Sequence, residues 1–179
     1  MFVSVFDVFK ISVGPSSSHT MGPMLAAAAF IDRLGRSDLP ETGLRLQCTL
    51  YGSLAYTGEG HGTHKAVMAG LMGMAPANYD AGDFAHKLER LAGEKRITVN
   101  SRPVALDPAT AIESDRKTRL DQHPNGMKFA LRDAEDKEIA SETYFSVGGG
   151  FVMTAEEMAG RDTAIEPDDN VPYAFSSAA

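Results

Sequence analysis

Gly14-Pro15-Ser16-Ser17-Ser18-His19-Thr20-Met21-Gly22-Pro23-Met24 stands directly ahead of the apolar run Leu25 to Phe30. Three hydroxyls, an imidazole and a fourth hydroxyl follow one another where a helix should begin. The first N–H groups of a helix have no intrahelical partner, and with Ser and Thr side chains they make a cradle of donors suited to a carboxylate or phosphate. Ser18 or Thr20 alone would serve as a plain cap, but four hydroxyls and a His exceed what a cap requires. The stretch therefore predicts a helix over about Met21 to Leu34 whose entry meets a ligand. Pro23 is tolerated in the first turn, where its missing N–H costs no hydrogen bond, and Gly35 is the natural stop.

Upstream, Phe2 to Val8 reads as a short helical turn packed on the domain and broken by Gly14-Pro15. Downstream, Leu44 to Tyr51 alternates apolar and polar residues with period two, which predicts a strand half buried on one face. A helix fits Thr63 to Met74, where Ala66, Ala69 and Gly70 allow close packing. Between strand and helix lies Gly58-Glu59-Gly60-His61-Gly62-Thr63-His64-Lys65, a second polar, glycine-rich helix entry. Asp83 is placed to cap a further helix through Leu91, ended by Gly93. Ile97 to Asn100 and Val104 to Leu106 are short candidate strands. Asn125-Gly126, then Met127 to Leu131 and Glu138 to Val147, suggest an antiparallel hairpin that ends in Gly148-Gly149-Gly150. That glycine run reads either as a bulge or bend, or as a ligand loop. The implied fold class is α/β in the α+β sense, a mixed sheet packed with helices. One domain spans residues 1–158, with 159–179 as a linker or frayed tail.

With 179 residues the chain suffices for one domain with a proper core. A formal net charge of -7 and a pI near 5.2, with no Lys/Arg cluster, argue against a nucleic-acid partner. No apolar run approaches the ~20 residues of a membrane span, and the N-terminus does not read as a secretory signal, so cytoplasm is the expectation. Cys48 is the single cysteine; it cannot form an internal disulfide or a thiolate metal site, and it reads as a buried apolar residue.

His19 and His61 have the most suggestive surroundings of the five histidines. Neutral imidazole is a competent proton acceptor near pH 7, and glycines at 58, 60 and 62 let backbone approach a ligand. His61 reads equally as a base or as a residue bonded to loop backbone. His61 and His64 are three apart without the zincin pattern, and the glycines match neither the dinucleotide nor the P-loop pattern. His123-Pro124-Asn125-Gly126 is a turn by composition, with His123 undecided, and His86 reads as a surface residue.

Taken together, Ser4 to Lys10, the run from Gly14 to Thr20 with Gly22-Pro23-Met24, Gly60-His61-Gly62-Thr63, His123-Pro124-Asn125 and Gly148-Gly149-Gly150-Phe151 strongly resemble iron-sulfur-dependent bacterial L-serine dehydratase. The likeness spans about residues 1 to 158 and covers the family's β domain. It implies deamination of L-serine to pyruvate and ammonia, with a [4Fe-4S] cluster acting as Lewis acid. The cluster's cysteines would lie in a separate α domain or α subunit, absent from this chain, so the isolated chain would be inactive. The same resemblance implies a homo-oligomer and a fold similar to the allosteric substrate-binding domain of some phosphoglycerate dehydrogenases. Carried over by motif, Ser16, Ser17, Ser18 and Thr20 would bind substrate, with His123, Asn125 and Gly149. His61 would take the Cα proton, with His19 and Thr63 as its catalytic neighbours; which histidine is the base stays open. His64 stands where the family often carries Asp. The alternative is a noncatalytic module that binds serine or a related small anion through the same loops.

Overall fold

The computed structural model describes residues 13–160. The helical turn expected at 2–8 and the tail expected beyond Gly160 lie outside them. A π-helical turn, Ser17–Met21, leads into α1 (Gly22–Gly35), followed by β1 (Leu44–Tyr51), α2 (Gly52–His61) and α3 (Thr63–Leu71). After a short 3-10 turn at Pro76–Asn78 come α4 (Ala81–Glu94), β2 (Arg96–Val99), β3 (Arg102–Ala105) and β4 (Ile112–Asp115). The long hairpin is β5 (Gly126–Arg132) and β6 (Glu138–Gly148); β7 (Phe151–Thr154) and α5 (Ala155–Ala159) close the described part. Among the described residues no helix is long and apolar enough to cross a membrane.

β1 is the centre of the sheet. Leu44, Leu46, Cys48 and Leu50 are buried, while Arg45, Gln47, Thr49 and Tyr51 alternate with them on the other face. Strand order is β2-β3-β1-β5-β6-β7, and β4 also pairs with β1. β3 runs parallel to the start of β1, at Leu44 and Arg45, and β4 runs parallel to its second half, from Cys48 to Tyr51. On the opposite edge β5 is antiparallel, so the sheet is mixed as the sequence predicts. The register places the end of β1, the start of β5 and the end of β6 on one rim, since Leu50 faces Met127 and Gly126 faces Phe145.

Helices cover the apolar face. Phe30 of α1 stacks on Phe129 of β5 with ring centroids 5.6 Å apart, and Tyr144 of β6 meets Phe129 edge-on at 5.9 Å. Leu54 and Ala55 of α2, Val67 and Leu71 of α3 and Leu91 of α4 fill the same core. The polar face carries ion pairs instead: Lys128 with Glu138 at 2.8 Å, Arg132 with Glu138 at 3.6 Å, and Arg45 with Asp136.

Small residues set the contact of α1 with α3. A Cβ on Gly70 would overlap the Met24 carbonyl oxygen and stand 2.7 Å from the Ala27 methyl. The two helices can touch this closely because position 70 has no side chain. Gly70→Ala should therefore destabilise the fold by about 1–3 kcal/mol despite the higher helix propensity of Ala. Urea denaturation measures this, and an unchanged midpoint would contradict the packing described.

Three expectations need correction. The segment Gly52–His61 is helix, although its glycines and polar residues read as connection. Its buried Leu54 and Ala55, packed on the core, outweigh a weak local pattern. Asp80, not Asp83, caps α4: its carboxylate accepts the Asp83 N–H at 2.8 Å, and Asp83 pairs one turn on with Lys87. Gly93 does not end that helix, which continues to Glu94 and stops at the left-handed Lys95. The glycine run after Val147 does contain an irregularity, a register shift between Ser146 and Gly148, with φ positive at Gly148, Gly149 and Gly150.

Candidate active site

The opening polar stretch forms the π-helical turn. Ser16 is extended, and its hydroxyl accepts the His19 N–H at 3.1 Å, so the cap is Ser16 rather than Ser18 or Thr20. The Ser16 carbonyl accepts the N–H of Thr20 at 3.0 Å and of Met21 at 3.4 Å, and also the Thr20 hydroxyl. Gly22 N–H closes on the Ser17 carbonyl. This widened turn points His19 back toward the end of β1. It is packed from below: a Cβ on Gly22 would overlap the Ser146 hydroxyl, and one on Gly150 would overlap the Met21 sulfur. Ser146 is fully buried, and among the described residues its hydroxyl has no hydrogen-bond partner.

His19 is held at both ring nitrogens. Nδ1 lies 3.0 Å from the Ser18 hydroxyl and Nε2 lies 3.1 Å from the Ser53 hydroxyl; Ser18 in turn lies 3.3 Å from the Ser16 hydroxyl. His61 stands beside it, with ring centroids 4.9 Å apart. His61 Nδ1 lies 2.8 Å from the Thr57 carbonyl, which can only accept, so Nδ1 carries the proton of the neutral ring and Nε2 carries a lone pair. His61 is exposed at the end of α2, and it borders a cleft of about 230 Å³ with Gly14, Thr20, Gly60, Gly62 and Lys65. Burial, and then the neighbouring His61, hold the His19 pKa below its ordinary 6.5.

The sign of that shift has two consequences. The unfolded chain binds a proton at residue 19 more tightly, so stability falls as pH drops from 6.5 toward the depressed value, and changes no further below it. Removing the neighbouring imidazole, as in His61→Gln, should raise the His19 pKa while leaving it below 6.5, because burial, the larger cause, remains. A proton NMR titration of the His19 ring measures this, and an unmoved midpoint would contradict it.

The remaining candidates fall into two groups. Thr63 is fully buried and donates its hydroxyl to the His19 carbonyl at 2.6 Å, fastening α3 to the π-helical turn. Gly62, at φ 77°, makes the tight turn between α2 and α3 that this contact needs. His123 Nδ1 accepts the Asn125 N–H at 3.1 Å, and Asn125 exchanges bonds with Ser146 backbone at 3.0 and 3.1 Å. The Pro124 carbonyl accepts the Ser53 N–H at 2.8 Å, docking this turn on the start of α2. His123 borders its own depression of about 290 Å³ with Tyr51, Ser53 and Arg116, on a different wall from His61. Ser17 is half-buried in the turn, and Gly149 lies exposed against the Phe151 ring. His64 lines a third depression with Glu59 and Arg116, apart from the His19–His61 pair.

An iron-sulfur cluster does not fit these residues. Such clusters are held by several thiolates, and this chain has one cysteine. Cys48 is sealed in the core face of β1, where burial pushes its thiol pKa far up. Among the described residues no three His, Cys, Asp or Glu side chains gather as a metal site. The site instead offers an accessible imidazole lone pair, a second imidazole held neutral and a row of hydroxyls.

Ser53 and Thr57 belong to this site and escape sequence reading, since only the helical form of Gly52–His61 brings them to the histidines. Ser146 is likewise visible only through its burial under Gly22.

Residues 4–157 match the family model described as serine dehydratase beta chain. An L-serine dehydratase of Streptomyces coelicolor is 40% identical over 98% of this chain and 38% of its own length. L-serine dehydratase TdcG of Escherichia coli is 40% identical over the same shares, and an L-serine dehydratase of Mycobacterium tuberculosis is 42% identical over 87% of this chain and 34% of its own. The chain thus spans little more than a third of the length of these relatives, and it belongs to the serine dehydratase beta chain family.

Proposed function

We propose that this chain is the β portion of an L-serine dehydratase and supplies one wall of the site that converts L-serine to pyruvate and ammonia. The turn formed by Ser16, Ser17 and Ser18 receives the substrate carboxylate, and His61 Nε2 accepts the proton from serine Cα. Loss of that proton and of the β-hydroxyl leaves an enamine, which tautomerises and is hydrolysed to pyruvate and ammonia. The observation that carries the reading is the His61 Nδ1 contact with the Thr57 carbonyl at 2.8 Å, which commits the exposed Nε2 to accepting. His19, kept neutral beside it, adds no competing positive charge.

In this proposal Thr63 and Asn125 act through backbone, Thr63 on His19 and Asn125 on Ser146, while Thr20, His123 and Gly149 shape the walls. The [4Fe-4S] cluster belongs to a separate α part, which completes the pocket; without it the isolated chain turns over no serine. Combining this chain with that α part, carrying its cluster, should yield pyruvate from L-serine, whereas neither part alone should. Serine binding by the combined protein without pyruvate would instead favour a noncatalytic sensor built on the same loops.

A further inference from the structure

We infer that Ser53 is the positioning residue that fixes the tautomer and orientation of His19 and joins both imidazoles to one turn of α2. The inference rests on reading this site as the place where serine is deprotonated. Ser53 engages the site through each of its polar groups. Its hydroxyl meets His19 Nε2 at 3.1 Å, and its carbonyl accepts the Thr57 hydroxyl at 2.8 Å. The Thr57 carbonyl in turn meets His61 Nδ1 at 2.8 Å. The Ser53 N–H donates to the Pro124 carbonyl at 2.8 Å, and this close approach depends on Gly52, at φ 52°, where any Cβ would strike that carbonyl.

The three contacts differ in what they can decide. A carbonyl only accepts, so the His61 tautomer is fixed by Thr57 alone. His19 lies between two hydroxyls, each able to give or take a proton, so its tautomer is set by the sense of the whole row Ser16–Ser18–His19–Ser53. Ser18 is shared between His19 and Ser16, whereas Ser53 meets Nε2 from a backbone locked to Pro124 on one side and to Thr57 on the other, so it is the fixed point against which the ring is oriented. Without that hydroxyl Nε2 has no oriented partner, and the ring is free to exchange tautomers and to turn away from His61.

Imidazole nitrogen-15 shifts of the 179-residue chain at about pH 8 provide the test. The unaltered chain should show one dominant tautomer at His19 and the Nδ1–H form at His61. Ser53→Ala should give averaged nitrogen shifts at His19 with His61 unchanged, and Ser53→Thr should restore the single form. Should the alanine variant fold poorly, Ser53→Cys keeps the volume with a weak bonding group and should shift His19 the same way. His19 shifts identical to those of the unaltered chain in the Ala or Cys variant overturn the inference. In the assembled enzyme Ser53→Ala should lower kcat at least tenfold with KM little changed, and Ser53→Thr should recover most of it. Unaltered kcat would also overturn the positioning role. If the assembled wild-type protein makes no pyruvate, the proposed function fails, and the nitrogen shifts still decide the role of Ser53.

Discussion

In the assembled enzyme, His61→Ala should lower kcat by about 10²–10⁴-fold, the span of a positioned general base, while KM stays within a few-fold. The asymmetry follows from what the ring touches. His61 is exposed, and among the described residues its hydrogen bond runs within its own helix, to Thr57, so the substitution removes little packing and the melting temperature should hardly move. The substrate's carboxylate, by contrast, is proposed to meet the Ser16–Ser18 turn, which the substitution leaves in place. Steady-state kinetics with cluster content measured in parallel makes the test: turnover within threefold of wild type, at equal cluster content, would remove His61 from the role of base. His19 would then be the next residue to change, since its imidazole stands beside that of His61 and burial lowers its pKa.

Phe30→Ala carries the largest expected loss of stability, about 3–5 kcal/mol. Phe30 is fully buried and stacks on Phe129, which itself meets Tyr144, so its ring couples α1 to β5 and β6. Truncation removes the transfer free energy of the ring and leaves a cavity that neither helix nor sheet can fill without moving. A loss of this size is a large part of the total stability of an ordinary domain. The thermal midpoint should fall by roughly 10 °C for a chain of this length, and a fall of only one or two degrees would mean that α1 is not anchored through this residue.

The sequence exposes those parts of the fold in which local pattern and burial agree. Leu44 to Tyr51 has the period of two that its alternating burial demands, and its ends agree with the strand. The hairpin from Met127 to Val147 is legible from its two runs and the polar connection between them, although burial does not alternate along either strand. Gly52–His61 is not, because what makes it helical is distant: the core around Leu54 and the Pro124 carbonyl, which accepts the Ser53 N–H at its start. Ile112–Asp115 is short and polar, and it becomes a strand by pairing in parallel with β1, a partner about 60 residues back that no local pattern encodes. The site divides in the same way. His19 and His61 stand out by composition, whereas Ser53 looks like one more loop serine until the helix carries it under His19.

The Gly70 contact reaches further than stability. Met24 lies one turn beyond the π-helical turn that holds His19, and Thr63, at the head of α3, grips the His19 carbonyl. A side chain at position 70 would press the two helices apart about 10 Å from that grip, at the helical rise of 1.5 Å per residue. The displacement would reach His19 before it unfolded the domain. In a random mutagenesis screen scored by growth on serine, such variants would cluster with genuine active-site losses, and only their response to lowered temperature would sort the two kinds apart.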